Sequence, residues 1–153
     1  MSNSLFRCAE CGGKVTISVA SEGSSTLWRM GMGVSLPIPA GTEAPICEKC
    51  GEFYFDGEIS DDVERALRPQ YVAIRRKTMA AVIDAILRLE IVNLYGLSAI
   101  AGEPIELLEK MRLEQADGSI TLQRLLEAYS NAPEELRRAA RDIPWSRPEK
   151  AAP

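Results

Sequence analysis

Two Cys-x-x-Cys-Gly segments, Cys8-Ala9-Glu10-Cys11-Gly12 and Cys47-Glu48-Lys49-Cys50-Gly51, hold all four cysteines of a 153-residue chain that has no histidine. Four soft thiolates in two closely spaced pairs suit one tetrahedral metal ion. For a structural Zn²⁺ the Zn–S distance is about 2.3 Å and no position is left for water. The glycine after each pair lets the backbone turn sharply, so that amide N–H groups can be aimed at the sulfurs. Three other uses compete. Disulfides belong to oxidising compartments, and residues 1–7 supply no apolar leader run before Cys8, so the expectation is a cytoplasmic protein with free thiols. A redox Cys-x-x-Cys needs a strand-to-helix setting, whereas Gly12-Gly13 opens onto a strand pattern. Iron takes the same donors, and residue type alone does not separate it from zinc. Catalytic zinc is disfavoured by the donor count, because four cysteines close the shell.

The residues around the knuckles read as a small β-structure. Between Lys14 and Ala20, Val15, Ile17 and Val19 alternate with Lys14, Thr16 and Ser18, the period of a strand. Ser21-Glu22-Gly23-Ser24-Ser25 is a turn, and residues 26–30 form the returning strand of a β-hairpin. A loop over residues 31–45 leads to the second knuckle, and Phe53-Tyr54-Phe55 makes a short third strand. The predicted zinc ribbon covers residues 1–58. A structural zinc contributes on the order of 10–16 kcal/mol to such a fold, where some sixty residues can barely build a core.

The remainder reads as helix, giving an α+β chain with an all-α second part. Ser60-Asp61-Asp62 marks a helix start, and Pro69 a stop, within a connecting helix and linker over residues 59–77. Met79, Val82, Ile83, Ile86, Leu87, Ile91 and Leu94 recur at three- and four-residue steps, which predicts one long helix that Gly96 interrupts. A segment over 97–101 meets Gly102, and a helix over 104–113 turns Ile105, Leu108 and Met111 inward. Asp117-Gly118 is a turn, Ser119 a cap for a helix over 120–129, and Pro133 opens a last helix ending near residue 143. The helical domain is therefore expected over 78–143, with a loose tail over 144–153. Within it, Leu97 and Ala101 before Gly102, with Leu108 and Met111 after it, fit a helix-turn-helix, and Ser98 is small where two helices must approach. A compact bundle without nucleic acid produces similar steps.

Charge narrows the function. Residues 1–70 hold six Lys/Arg against ten Asp/Glu, and residues 71–153 hold twelve of each. The chain is therefore no free-standing basic nucleic-acid coat. There is no membrane-spanning apolar run, no Gly-rich phosphate cradle and no Ser/His pair, and metal binding would leave no free cysteine. No enzyme is expected.

The order of parts resembles one family. A glycine-followed Cys-x-x-Cys, some thirty intervening residues, then Ala44-Pro45-Ile46-Cys47-x-x-Cys50-Gly51-Glu52-Phe53-Tyr54-Phe55-Asp56-x-Glu58 and a helix resemble the MqsA/YgiT-type zinc-ribbon antitoxins. In these a small Xre/Cro-like helix-turn-helix domain commonly follows the ribbon. The likeness implies that Cys8, Cys11, Cys47 and Cys50 ligate one structural zinc. It also implies that the ribbon binds a partner protein such as an RNase toxin, while the helical domain dimerises and binds operator DNA. It puts the family's base-reading asparagine at Glu106 and its arginine near Lys110.

Other residues enter as candidates. Arg75, Arg76 and Lys77 can grip phosphate or sit on a solvated surface. Lys110, Arg112 and Arg124 flank the expected recognition helix, but Glu103, Glu106, Glu109 and Glu114 would repel a phosphate lattice. Trp28, Phe53, Tyr54 and Phe55 can either cover the knuckles or face a partner. The stripe from Met79 to Leu94 is long enough for a two-fold contact in a homodimer, or for cover by later helices. Two functions follow. One is an antitoxin-like transcriptional regulator. The other is a non-enzymatic adaptor that keeps a helix-turn-helix fold and no longer binds DNA.

Overall fold

A computed structural model describes residues 5–22, 24–141 and 143, and the expected tail over 144–153 lies outside them. The fold is α+β. Among the described residues five short strands, β1 (Phe6–Arg7), β2 (Lys14–Val19), β3 (Leu27–Gly31), β4 (Val34–Pro37) and β5 (Glu43–Cys47), precede five helices. The helices are α1 (Gly57–Arg88), α2 (Leu94–Ala101), α3 (Ile105–Arg112), α4 (Ile120–Asn131) and α5 (Pro133–Ala140). The chain divides into two compact units, Met1–Tyr71 and Val72–Pro153, and α1 contributes to both.

In the first unit the strands pair differently from the expected hairpin. Residues 14–19 do not fold back onto residues 26–30. Instead β2 lies between β1 and β5 in an antiparallel sheet, with Phe6 and Cys47 opposite Val15 and Pro45 opposite Ile17. The loop expected over 31–45 instead holds β4 and the start of β5, where Pro45 is tolerated because β5 is a sheet edge and a missing N–H costs no ladder bond. The register has a consequence for the site, since it ties the strand leaving the first knuckle to the strand entering the second. β3 pairs with β4 across Met32-Gly33, and both turn residues have positive φ (51° and 74°). That is the backbone of a two-residue hairpin turn whose twist suits the strands. The expected strand at Phe53-Tyr54-Phe55 reduces to one bridge, Ile46 to Phe53.

Helix α1 starts earlier and ends later than the sequence suggested. The Asp56 carboxylate accepts from the Ile59 N–H at 2.9 Å, which caps the helix ahead of the expected Ser60 start. It runs through Pro69 without stopping. Pro69 and Arg65 are both exposed, so the carbonyl that loses its amide partner lies on the solvent side. In the first unit Val63 and Leu67, one turn apart, are its buried positions.

The second unit buries Met79, Ile83 and Ile86 of α1 against Leu97, Leu108, Met111, Leu122, Leu126 and Leu136. The predicted single stripe breaks after Arg88. Glu90 takes a left-handed φ of 56°, and the Asn93 side chain accepts from the Gly96 N–H at 2.9 Å to start a new helix. Gly96 therefore lies buried inside α2 rather than between helices. The turn into α3 fits the helix-turn-helix reading. Gly102 adopts φ 69°, its amide and that of Glu103 cap the Ser98 carbonyl, and the Ser98 hydroxyl donates to the Glu103 carbonyl at 2.6 Å. Ser119 caps α4 by accepting from the Leu122 N–H at 3.0 Å. α5 ends at Ala140, short of the expected residue 143.

Candidate metal centre

The two knuckles are built alike. In each, the glycine N–H donates to the carbonyl of the first cysteine at 2.9 Å, Gly12 to Cys8 and Gly51 to Cys47. Both glycines hold left-handed φ, 68° and 75°, which closes the loop tightly. Each first cysteine then donates its own N–H across the loop, Cys8 to the Gly13 carbonyl and Cys47 to the Glu52 carbonyl, both at 2.9 Å. Other amides of the loops reach sulfur. Those of Glu10 and Cys11 reach Cys8, and that of Gly13 reaches Cys11. The second knuckle repeats the scheme, with Lys49 and Cys50 on Cys47 and Glu52 on Cys50.

The four sulfurs meet between the loops. All lie within 4.8 Å of one another, and two contacts cross from knuckle to knuckle, Cys8 to Cys50 at 3.6 Å and Cys11 to Cys47 at 3.5 Å. A tetrahedron with metal–sulfur bonds of about 2.3 Å has edges of about 3.8 Å, so the donor set fits one ion of that kind. All four cysteines are free thiols. Cys8 and Cys47 are buried, Cys11 is half-buried and Cys50 is exposed, which leaves the cluster open on one side.

Tyr54 completes the arrangement. Its hydroxyl donates to the Cys8 sulfur and accepts from the Ala9 N–H at 3.2 Å, while its ring stands edge-on to Phe6 with centroids 4.9 Å apart. The Tyr54 hydrogen bond, supported by the amides, holds the Cys8 thiol down at about 6 against the opposing effect of burial. The reciprocal effect pushes the Tyr54 phenol up to about 12. The Cys50 amide, with that of Lys49, keeps Cys47 below its ordinary value. For Cys50 the Glu52 amide works downward, but the Cys11 and Cys47 sulfurs and burial outweigh it and raise the thiol to about 12. Cys11 is raised as well: the Gly13 amide favours the thiolate, yet burial with the Cys47 and Cys8 sulfurs prevails. The sulfurs compete for negative charge, which is the electrostatic condition a divalent cation relieves.

Gly13 has a separate role. A Cβ there would lie 2.8 Å from the Lys49 Cβ, 2.9 Å from the Cys47 sulfur and 3.3 Å from the Cys11 sulfur. Only a residue without a side chain lets the two knuckles approach this closely. No spacing rule flags Gly13, or the hydroxyl of Tyr54, because both act through a contact made only on folding.

The remaining candidates fall in several places. Trp28 and Phe55 meet edge-to-face at 5.0 Å, Phe53 stacks on Phe55 at 5.8 Å, and all three are half-buried. Arg75 donates to the Gly118 carbonyl at 2.6 Å and to Gln123 at 3.1 Å, and Arg76 pairs with Asp117 at 3.1 Å. These two guanidinium groups hold the loop between α3 and α4 against α1. Lys77 is exposed beside them. Arg112 pairs with Asp84 at 2.6 Å. Glu106 and Lys110 are exposed on α3 and Arg124 on α4, with Glu109 also outward. Among the described residues no helix is long and apolar enough to cross a membrane. Compared with protein-family models and with curated proteins, the chain matches none of them.

Proposed function

We propose that this chain is an antitoxin-like transcriptional regulator of the MqsA/YgiT type. One structural Zn²⁺, held by Cys8, Cys11, Cys47 and Cys50, fixes a ribbon that binds a partner protein, and the helical unit reads operator DNA as a dimer. Zinc rather than iron is favoured by use: the shell is closed and serves to join two knuckles that have little other core. Bound there, the ion would supply cross-linking energy and neutralise competing thiolates. The observation that carries the reading is the pairing of α2 and α3. Leu97, Leu108 and Met111 are fully buried around a left-handed Gly102, so α3 is braced on one side while Glu106, Glu109 and Lys110 remain outward.

The test is retardation of the DNA upstream of the chain's own gene, measured over a salt series. Specific affinity that falls steeply with salt is expected, since released counterions drive such binding. Absence of any complex at low salt removes the DNA-reading part. A neighbouring gene for a small basic protein that co-purifies with the ribbon would support the partner-binding part.

A second reading, a non-enzymatic adaptor, is favoured by the fate of the cations. Arg75, Arg76 and Arg112 are engaged within the unit, and the outward face of α3 carries Glu106 and Glu109. Under this reading the same parts dock onto protein alone, and the DNA assay separates the two.

A further inference from the structure

The second half of α1 is apolar nearly all round. Between Thr78 and Leu87 its one charged residue is Asp84. Met79, Ile83 and Ile86 are buried in the helical unit. On the opposite side Ile74, Thr78, Ala81, Val82 and Ala85 line an open groove of about 460 Å³, bordered by Ser130 of α4. A helix that is apolar on all sides is ordinarily covered on all sides, and here Thr78 and Ala81 are exposed.

We propose that this groove is a two-fold interface with a second copy of the chain, the two α1 helices running antiparallel. Charge selects that occupant. Lys77 also lines the groove and Asp84 follows seven residues on, which sets the two charges two turns apart on the same side of the helix, with opposite signs. Antiparallel pairing centred between residues 80 and 81 places each Lys77 beside the Asp84 of the other copy, twice over. A two-fold contact must be complementary to itself, and this patch is; a partner of unrelated sequence would demand no such palindrome. The small side chains of Thr78, Ala81 and Ala85 let the helix axes approach to the near end of the usual range, about 8 Å. Lys77 makes no ion pair among the described residues, and Asp84 meets Arg112 through one oxygen, leaving the other for a lysine. The inference rests on the dimer of the proposed function and names its surface; a dimer that binds no DNA would leave it standing.

Light scattering and sedimentation of the full, zinc-loaded chain over a concentration series test it. The wild-type chain is expected to dimerise, and Ala81→Arg to leave a folded monomer by circular dichroism. Lys77→Glu and Asp84→Lys each juxtapose like charges and should weaken the dimer on the order of tenfold. Mixing the two variants in equal amounts restores opposite charges at both contacts and should recover the dimer. A local effect of losing the Asp84–Arg112 pair would not be rescued by mixing. A wild-type monomer throughout, a dimer indifferent to Ala81→Arg, or failure of the mixture to recover overturns the proposal.

Discussion

Replacing Gly13 by alanine tests whether the two knuckles are held as closely as their hydrogen bonds require. The new Cβ would fall 2.8 Å from the Lys49 Cβ and 2.9 Å from the Cys47 sulfur. Neither neighbour can give way cheaply. The first is fixed to the backbone, and the second is held by two amides and, once loaded, by the ion. Overpacking at a rigid site costs about 1–3 kcal/mol. If a metal occupies the proposed site, its binding would supply most of the folding energy of so small a unit, so the strain should subtract directly from metal affinity, lowering it roughly five- to 150-fold. Competition against a chromogenic zinc chelator measures this, with thermal melting as a second readout. Gly12 provides the contrast. A Cβ there meets nothing within 4 Å, but φ is 68°, so Gly12→Ala suffers only backbone strain of about 1–2 kcal/mol. Gly12→Asn should recover part of that loss, because asparagine tolerates the left-handed region, whereas Gly13→Asn should be at least as damaging as Gly13→Ala. A Gly13→Ala protein that holds zinc as tightly as the wild type refutes the close-approach argument.

Other expectations follow from neighbouring contacts. On the proposed zinc-bound reading, replacing any one of the four cysteines by serine should abolish metal binding, read as loss of about one metal per chain by elemental analysis together with melting of the ribbon. In the metal-free protein, thiolate ultraviolet absorbance should show a thiol titrating near pH 6, and Tyr54→Phe should move that step upward. Because the Cys8 value is lowered on folding, its contribution to stability is complete above the unfolded thiol range and is lost as pH falls through about 6. In the helical unit Arg75→Ala should destabilise by about 1–3 kcal/mol in chemical denaturation, since it strands the Gly118 carbonyl and the buried Gln123.

What could be read from the sequence differs between the two kinds of signal. The cysteines declare their cluster because their chemistry is local to a spacing, and the inward Leu108 and Met111 declare theirs because helical periodicity is a property of the chain itself. Ser119 was legible as a cap for the same reason. The strand pairing was not. Pro45 argues against a strand until its edge position is known, and Met32-Gly33 lacks the Asn or Asp that usually announces a two-residue turn. Pro69 failed as a stop because the cost of proline depends on where the orphaned carbonyl points, which periodicity does not encode. Gly96 reads as a break, whereas it is Asn93, three residues earlier, that restarts the helix. Arg75 and Arg76 looked like surface charge because their acceptors lie some forty residues away in sequence.

The position of Tyr54 joins two things that the chain keeps apart. Its hydroxyl is bonded to a sulfur of the cluster, its N–H to the Pro45 carbonyl at 2.9 Å, and two residues later Asp56 caps the first turn of α1. Stripping the ion would slacken the phenol's grip first, and the slack would travel along a tether too short to absorb it. Chelation should therefore fray the opening turn of the long helix as well as the ribbon, so that a signal arriving at sulfur is felt where the helical half begins.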